Sequence, residues 1–123
     1  MANNKKEIKI EDSIRLTITE ENDITLITIK GYIDYSNYLD FQREINFFIK
    51  NNAKIIFICK ELNYISSSGI ASFVQFAKKI EEKKGKVVLV NIQNKIQEIF
   101  NLIKMSNFLL ITDNINKARE ILK

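Results

Sequence analysis

The serines at positions 66, 67 and 68 are the residues of this chain best placed to do chemistry. They stand side by side, directly before Gly69, where an apolar strand pattern changes into a helical one. A serine hydroxyl at the start of a helix can accept a hydrogen bond from a free backbone N–H, which stabilises the helix by roughly 1 kcal/mol. An early glycine lets the backbone turn tightly or another surface approach closely, which suits a docking site. The residue types leave both roles open.

The sequence lacks most of the residue patterns on which enzymes depend. The chain has no histidine, so the commonest general base and the commonest neutral metal ligand are missing. The serines lack the first glycine of a Gly-x-Ser-x-Gly elbow, and neither Gly-x-x-x-x-Gly-Lys nor Gly-x-Gly-x-x-Gly occurs. Carboxylates such as Glu44, Glu61 and Glu98 show no pairing, and the single cysteine, Cys59, cannot build a disulfide or a zinc cluster. We therefore predict a protein that is not an enzyme and needs no metal or cofactor.

Composition predicts one compact domain. The chain has 123 residues, of which 46% are hydrophobic and 28% charged, and its formal net charge is +4. The lysines are scattered among acids and asparagines and form no basic stripe with aromatics, so we expect no direct nucleic-acid partner. The N-terminus lacks the apolar core of a secretory signal, and no stretch reaches the length of a membrane span. These features predict a cytoplasmic protein.

Around the serines, two apolar periodicities alternate along the chain. Ile14, Leu16 and Ile18 alternate with polar residues and predict a strand, to which Ile8-Lys9-Ile10 adds an extension. A polar turn at residues 20–23 leads to a second strand, and later elements follow from apolar spacings of three and four residues or from short apolar runs. They are strand 24–29, a helix of about four turns on Tyr38, Phe41, Ile45, Phe48 and Ile49, strand 54–59, helix 68–84 ending at Gly85, strand 87–90, a helix on Ile92, Ile96, Ile99, Phe100 and Ile103, strand 108–111, and a helix on Ile115, Ala118, Ile121 and Leu122.

This order, ββαβαβαβα, predicts a single-domain α/β fold. Alternating strands and helices favour a mixed, mostly parallel sheet with about four helices, whose first strand is attached by a hairpin. We expect residues 7–123 to form one folding unit and residues 1–6 to be a flexible N-terminus.

Four landmarks in this order resemble the STAS domain family, named for sulfate transporters and anti-sigma-factor antagonists. The family's Gly-x-Ile-Asp element is matched by residues 31–34, and its Asp-Ser-Ser-Gly-Leu motif after an aromatic and an aliphatic residue is matched by residues 64–70. Its Gly-Gly-x-Leu-x-Leu strand and closing helix correspond to residues 85–91 and 113–122. The resemblance covers nearly the whole chain and implies a STAS-like fold for residues 7–123. Two acids of the family pattern are replaced here, by Ser66 and Ile58.

The resemblance implies a phosphorylation-controlled binding switch. In the phosphorylated subfamily, the first serine of Asp-Ser-Ser-Gly is modified by a serine kinase that also serves as an anti-sigma factor. This register assigns the site to Ser67, with Ser66 and Ser68 as alternatives. The unmodified domain, an anti-sigma factor antagonist, would bind the kinase and release the transcription regulator that it restrains. Phosphorylation would end the binding until a phosphatase of the PP2C type resets the cycle, which is called partner switching.

The predicted partner-binding residues surround Ser67. They are Asp34, Ser66, Ser67, Ser68, Gly69, Ser72, Gln75 and Phe76. For Asp34 the alternative is a cap of the first helix together with Ser36, and for Phe76 the alternative is a place in the core. Two other functions stay open: an accessory STAS subunit of a membrane transport or lipid-trafficking complex, and a switch whose kinase restrains something other than a sigma factor.

Overall fold

A six-stranded sheet runs through the computed structural model, which describes residues 5–123. The strands lie side by side in chain order, from β1 to β6. β1, β2 and β3 pair antiparallel, whereas β3, β4, β5 and β6 pair parallel. The elements are β1 Lys5–Ile10, β2 Ile14–Glu21, β3 Ile24–Ile33, α1 Tyr38–Asn46, β4 Lys54–Ile65, α2 Ser67–Glu82, β5 Lys86–Val90, α3 Asn94–Leu102, a 3-10 turn Met105–Asn107, β6 Leu110–Thr112 and α4 Ile115–Ile121. The predicted α/β fold with a mixed, mostly parallel sheet and four helices is confirmed.

The helices cover the sheet unequally. α1, α2 and α3 pack on one face, where their apolar side chains join the main core formed by the sheet. Four phenylalanines make the centre of that core, with ring centroids 5.2 to 6.1 Å apart; they are Phe41, Phe57, Phe73 and Phe76. α4 packs on the other face through Ala118 and Leu122. Arg119 of α4 also forms an ion pair with Glu21 at 2.7 Å, which ties this helix to the β2–β3 hairpin.

Some boundaries differ from the sequence prediction for physical reasons. The segment Ile8–Ile10 does not extend the next strand; it belongs to β1, which turns back and pairs with β2. Lys5 and Lys6 lie in β1, opposite Thr19 and Ile18, so these two residues of the predicted flexible N-terminus are ordered; residues 1–4 lie outside the described residues. α1 is shorter than four turns because the chain after Asn46 makes tight backbone bonds, from Phe48 N to Ile45 O and from Ile49 N to Asn46 O.

The strand that leads to the serines is longer than predicted. β4 extends to Ile65 and not only to Cys59. The pairing of β4 with β3 is interrupted by two register shifts, and at each one the alternation of buried and exposed side chains along β4 is broken. The apolar period of two therefore disappears from the sequence after Cys59. α2 ends at Glu82, and the left-handed residue that follows it is Lys84, with a φ of 63°, and not the predicted Gly85. Among residues 5–123, no helix combines the length and the apolar character required to cross a bilayer.

Candidate functional site

The serine loop, residues 66–68, lies where the carboxyl ends of β3 and β4 meet. The Ser66 N–H donates to Ile33 O at the end of β3, at 2.8 Å. The first turn of α2 then packs directly on these strand ends. A Cβ atom on Gly69 would approach Ile65 Cγ1 to 2.6 Å and Ile33 Cγ2 to 2.9 Å, closer than packed atoms can be. Gly69 is therefore needed for close helix–strand contact, and it is buried.

Ser66 is the serine that caps the helix. Its backbone is extended and its hydroxyl accepts a hydrogen bond from Gly69 N at 3.2 Å. Its Oγ also lies 2.7 Å from Ser68 Oγ. The side chain is buried, so Ser66 has the structural role that serines have at helix starts.

A chain of hydrogen bonds fixes the first turn of α2 to α1. Gln42 Nε2 donates to Ser72 Oγ at 2.8 Å, and that hydroxyl in turn donates to Ser68 O at 2.8 Å. Ser68 connects on to Ser66 through the two hydroxyls. The chain runs from one helix to the cap of the next and leaves Ser66, Ser68 and Ser72 with their hydroxyls engaged.

Ser67 differs from its two neighbours. It is the first residue of α2, it is exposed, and its hydroxyl makes no hydrogen bond within residues 5–123. The N–H groups of Gly69 and Ile70 are bonded to Ser66, whereas those of Ser67 and Ser68 point out of the helix start without an intrahelical partner. No acidic residue stands in the first turn. Ser67 is thus a free hydroxyl at the electropositive end of a 16-residue helix.

The loop between β3 and α1 forms the neighbouring part of this edge. Asp34 Oδ1 accepts hydrogen bonds from Ser36 N at 2.9 Å and from Ser36 Oγ at 2.7 Å. The N-cap residue of α1 is Asn37, so the alternative in which Asp34 caps this helix is wrong; Asp34 shapes the turn before it.

Asn37 is a residue that the sequence analysis missed. It is almost fully buried; its Nδ2 donates to Ser13 Oγ at 2.8 Å and to Tyr32 O at 3.0 Å, and its Oδ1 accepts from Asp34 N at 2.9 Å. One amide thereby holds the Asp34 turn against the β1–β2 loop. An asparagine just before a helical pattern indicates only that it could cap the helix. The sequence gives no sign that Asn37 contacts Ser13 and Tyr32.

All four tyrosines of the chain gather at the same edge. They occur at positions 32, 35, 38 and 64, and the pairing of β3 with β4 sets Tyr32 beside Tyr64. Tyr35 packs edge-on against Tyr38 with a centroid distance of 6.1 Å. Tyr32, Tyr35 and Tyr64 are exposed; we call these three residues the tyrosine surface. Tyrosine is enriched at protein interfaces because its ring is apolar and its hydroxyl is polar.

One protein family matches most of this sequence. The sequence profile of the STAS domain matches residues 15–118. The chain belongs to the STAS domain family. Among solved structures, this STAS domain is similar to an anti-sigma factor antagonist from Mycobacterium paratuberculosis, with 12% identity, a TM-score of 0.80, and coverage of 94% of this chain and 98% of that one.

Two further solved structures share this fold. The Bacillus cell fate determinant SpoIIAA, solved in its phosphorylated form, is 17% identical with a TM-score of 0.63, covering 90% of this chain and all of that one. The murine anion transporter Slc26a9 is 12% identical with a TM-score of 0.70, covering 99% of this STAS domain but 22% of the transporter chain. At these identities the similarity establishes the fold.

The predicted partner-binding residues separate into two groups. Asp34, Ser67, Ser68 and Gln75 are at least partly accessible. Ser72 was predicted to contact the partner, but it is 0% exposed and its hydroxyl is bonded inside the STAS domain, so it is not accessible to one. Phe76 is 1% exposed and stacks on Phe57, so the alternative core position is the correct one. Ser66 and Gly69 are buried and support the loop from beneath.

Cys59 is a buried thiol on the core face of β4, behind this edge. Burial raises its pKa to about 12, so the thiolate that reacts with disulfide reagents is nearly absent at neutral pH. We expect the folded protein to react with Ellman's reagent at least about 100-fold more slowly than the protein in denaturant. Time courses of thiol release with and without guanidinium measure this, and fast release from the folded protein would contradict the burial of Cys59.

Proposed function

We propose that this STAS domain is an anti-sigma factor antagonist controlled by phosphorylation of Ser67. Unmodified, it binds a serine kinase that serves as an anti-sigma factor and so releases the regulator held by that kinase. Phosphorylation ends the binding, and a phosphatase of the PP2C type restores it. The domain acts through binding and is not itself an enzyme.

The free hydroxyl of Ser67 is the observation that carries this proposal. A kinase must reach the hydroxyl and extend it into its own active site. Ser66 is buried as the cap, and Ser68 shares a hydrogen bond with it, whereas Ser67 is exposed with an unbonded side chain. Of three adjacent serines, Ser67 is therefore the one that a kinase can modify without breaking the start of α2.

A phosphate on Ser67 would be accommodated by the domain itself. It adds a charge of about −1.5 to −2 at pH 7. The free N–H groups of Ser67 and Ser68 and the positive end of α2 favour an anion at this position. Ser66 stands where the family pattern has an acid, so no carboxylate repels the phosphate from the cap position. Ile58, which replaces the other acid of the family pattern, packs against the cluster on the α4 face of the sheet.

The same phosphate would oppose a docked partner. The tyrosine surface lies at the same edge as Ser67 and offers exposed aromatic area, and Asp34 and Gln75 are accessible polar side chains of the predicted partner-binding set. A protein packed over this area would have to remove water from a doubly charged group, which is costly when no opposite charge pairs with it. Modification can thus prevent docking while the fold is retained.

Affinity capture from a lysate of the source organism tests the proposal. Wild-type protein is expected to retain a small ATP-binding kinase, identified by mass spectrometry, and Ser67→Asp protein is expected to lose it. Incubation of the captured kinase with ATP and wild-type domain should place phosphate on Ser67 in peptide mapping, and Ser67→Ala should abolish it.

Two outcomes would reject this function. Phosphate found only on Ser66 or Ser68 would mean that the register of the motif is wrong. Retention of the same transport or lipid-trafficking components by wild type and Ser67→Asp would favour the accessory-subunit function, for which the similarity to a segment of an anion transporter is the supporting observation.

A further inference from the structure

The amino-terminal edge of the parallel strands, opposite the serine loop, carries a concentration of lysines. Three of them lie in the two loops that enter β4 and β5, and two are the first residues of these strands. We call this set the lysine edge: Lys50, Lys54, Lys83, Lys84 and Lys86. The loops touch each other, since Asn52 N donates to Lys83 O and Lys86 N donates to Ala53 O, each at 2.8 Å. Residues 50–54 and 83–86 contain no acid, so the two loops form one cationic surface.

These lysines are not neutralised by the fold. Within residues 5–123 none of the five lies within 4.0 Å of a carboxylate, whereas Lys9, Lys30, Lys117 and Lys123 elsewhere do. Lys54 and Lys86 are even register partners on adjacent strands, an arrangement that repulsion disfavours. The acids nearest in the chain, Glu81 and Glu82, lie in the last turn of α2 and are exposed. The partial negative charge at the carboxyl end of α2 stabilises the positive charge of Lys83. It does not offset the repulsion between Lys54 and Lys86 at the starts of β4 and β5.

Large apolar side chains flank the lysine edge on both sides. Phe47 precedes Lys50 in the same loop and is 77% exposed. Phe108 is 58% exposed and lines a surface pocket together with Lys86 and Leu110. The lysines can attract a negatively charged surface over a long range, and the exposed phenylalanines can contact an apolar layer.

We propose that the lysine edge binds the surface of an anionic lipid bilayer. Lysines near a bilayer are attracted by anionic headgroups, and aromatic side chains enter the interface between headgroups and acyl chains. The composition favours this partner over nucleic acid. The edge contains lysines only, and none of the chain's three arginines, Arg15, Arg43 and Arg119, belongs to it. Arginine is the side chain that recognises phosphates and bases bidentately, whereas lysine acts as a point charge that suits a diffuse anionic surface.

This binding is independent of the proposed switch. Ser67 lies at the carboxyl edge of the sheet and the lysine edge at the amino edge. A domain held on a bilayer by its lysines would keep the serine loop directed away from the lipid, where a protein partner can reach it.

Vesicle sedimentation with purified full-length protein tests the proposal. Wild type is expected to bind vesicles of phosphatidylcholine mixed with phosphatidylglycerol, to ignore pure phosphatidylcholine, and to dissociate as salt is raised. The triple variant Lys50→Gln, Lys83→Gln and Lys86→Gln is expected to bind roughly 100-fold more weakly, since each removed charge near the surface weakens binding about fivefold. Phe47→Ser is expected to weaken binding about tenfold because apolar contact is lost.

A matched control separates the surface from the net charge. Lys30, Lys60 and Lys95 are exposed lysines toward the carboxyl ends of the strands, away from this edge, and changing all three to Gln removes the same charge. This control is expected to bind anionic vesicles within about threefold of wild type. Equal loss in both triple variants, or no wild-type binding to anionic vesicles at low salt, would overturn the proposal. So would tighter binding to a DNA or RNA oligonucleotide that the first triple variant abolishes.

Discussion

Protein carrying Ser67→Asp is expected to stay folded while it binds the purified kinase partner roughly 100-fold more weakly, a loss of about 3 kcal/mol. The stability is retained because Ser67 makes no side-chain hydrogen bond within residues 5–123, and a negative charge at a helix start adds about 0.3 to 1 kcal/mol. The affinity is lost because the partner must bury the new charge unpaired. Chemical denaturation measures the free energy of unfolding, and isothermal titration calorimetry measures the affinity for the kinase, on the same protein preparation.

The control for this prediction is Ser106→Asp. Ser106 is exposed, lies outside α2 and follows Met105 in the 3-10 turn, so the same charge is added away from the serine loop. Kinase affinity of this control should remain within about twofold of wild type. Gross unfolding of Ser67→Asp, or equal affinity loss in both variants, would contradict the assignment of Ser67 as the switch.

Replacing Phe76 with alanine is expected to lower the free energy of unfolding by about 3 to 5 kcal/mol. The ring lies among Phe41, Phe57 and Phe73, and its removal leaves a cavity that these neighbours cannot fill. A loss of this size is a large part of the stability of an ordinary domain. Urea denaturation followed by circular dichroism provides the measurement.

The adjacent residue supplies the comparison. Gln75 is exposed on α2, so Gln75→Ala should change stability by less than about 0.5 kcal/mol and should lower kinase affinity by about 1 kcal/mol. If Phe76→Ala left stability unchanged and reduced only the kinase affinity, Phe76 would be a contact residue after all and its core position would be wrong.

The sequence was sufficient where one physical effect dominates. Ile14, Leu16 and Ile18 alternate with polar residues because one face of β2 is buried, and the buried face can be read from the period alone. The order of strands and helices, and with it the fold class, followed from such patterns. The family resemblance then predicted the position of the serine loop between β4 and α2.

The details of α2 show where hydropathy failed. The apolar spacing behind the predicted helix 68–84 includes Phe73 and Ile80, which are buried, but the buried residues of α2 also include Gly69 and Ser72, which hydropathy does not indicate. Ser72 can face the core because Gln42 and Ser68 satisfy its hydroxyl, and Gly69 because the strand ends leave no room for a side chain. Both reasons are contacts between distant segments, which a linear pattern does not contain.

The choice among the three serines was limited in the same way. The run of serines before a helical pattern predicts that one of them caps α2. Which serine does so depends on where β4 ends. Since β4 continues to Ile65, Ser66 becomes the cap and Ser67 the first helical residue. Asn37 illustrates the same limit, because its partners Ser13 and Tyr32 belong to other parts of the fold.

The chain-order arrangement of the sheet has a consequence for how the protein is made. Each strand pairs with the one synthesised just before it, so no strand has to wait for a later segment or insert between two formed neighbours. Contacts of this kind close short loops and favour rapid folding. On a ribosome, we expect the sheet to grow from β1 outward as the chain emerges. The ion pair of Arg119 with Glu21, 98 residues apart, would then form last and close the domain.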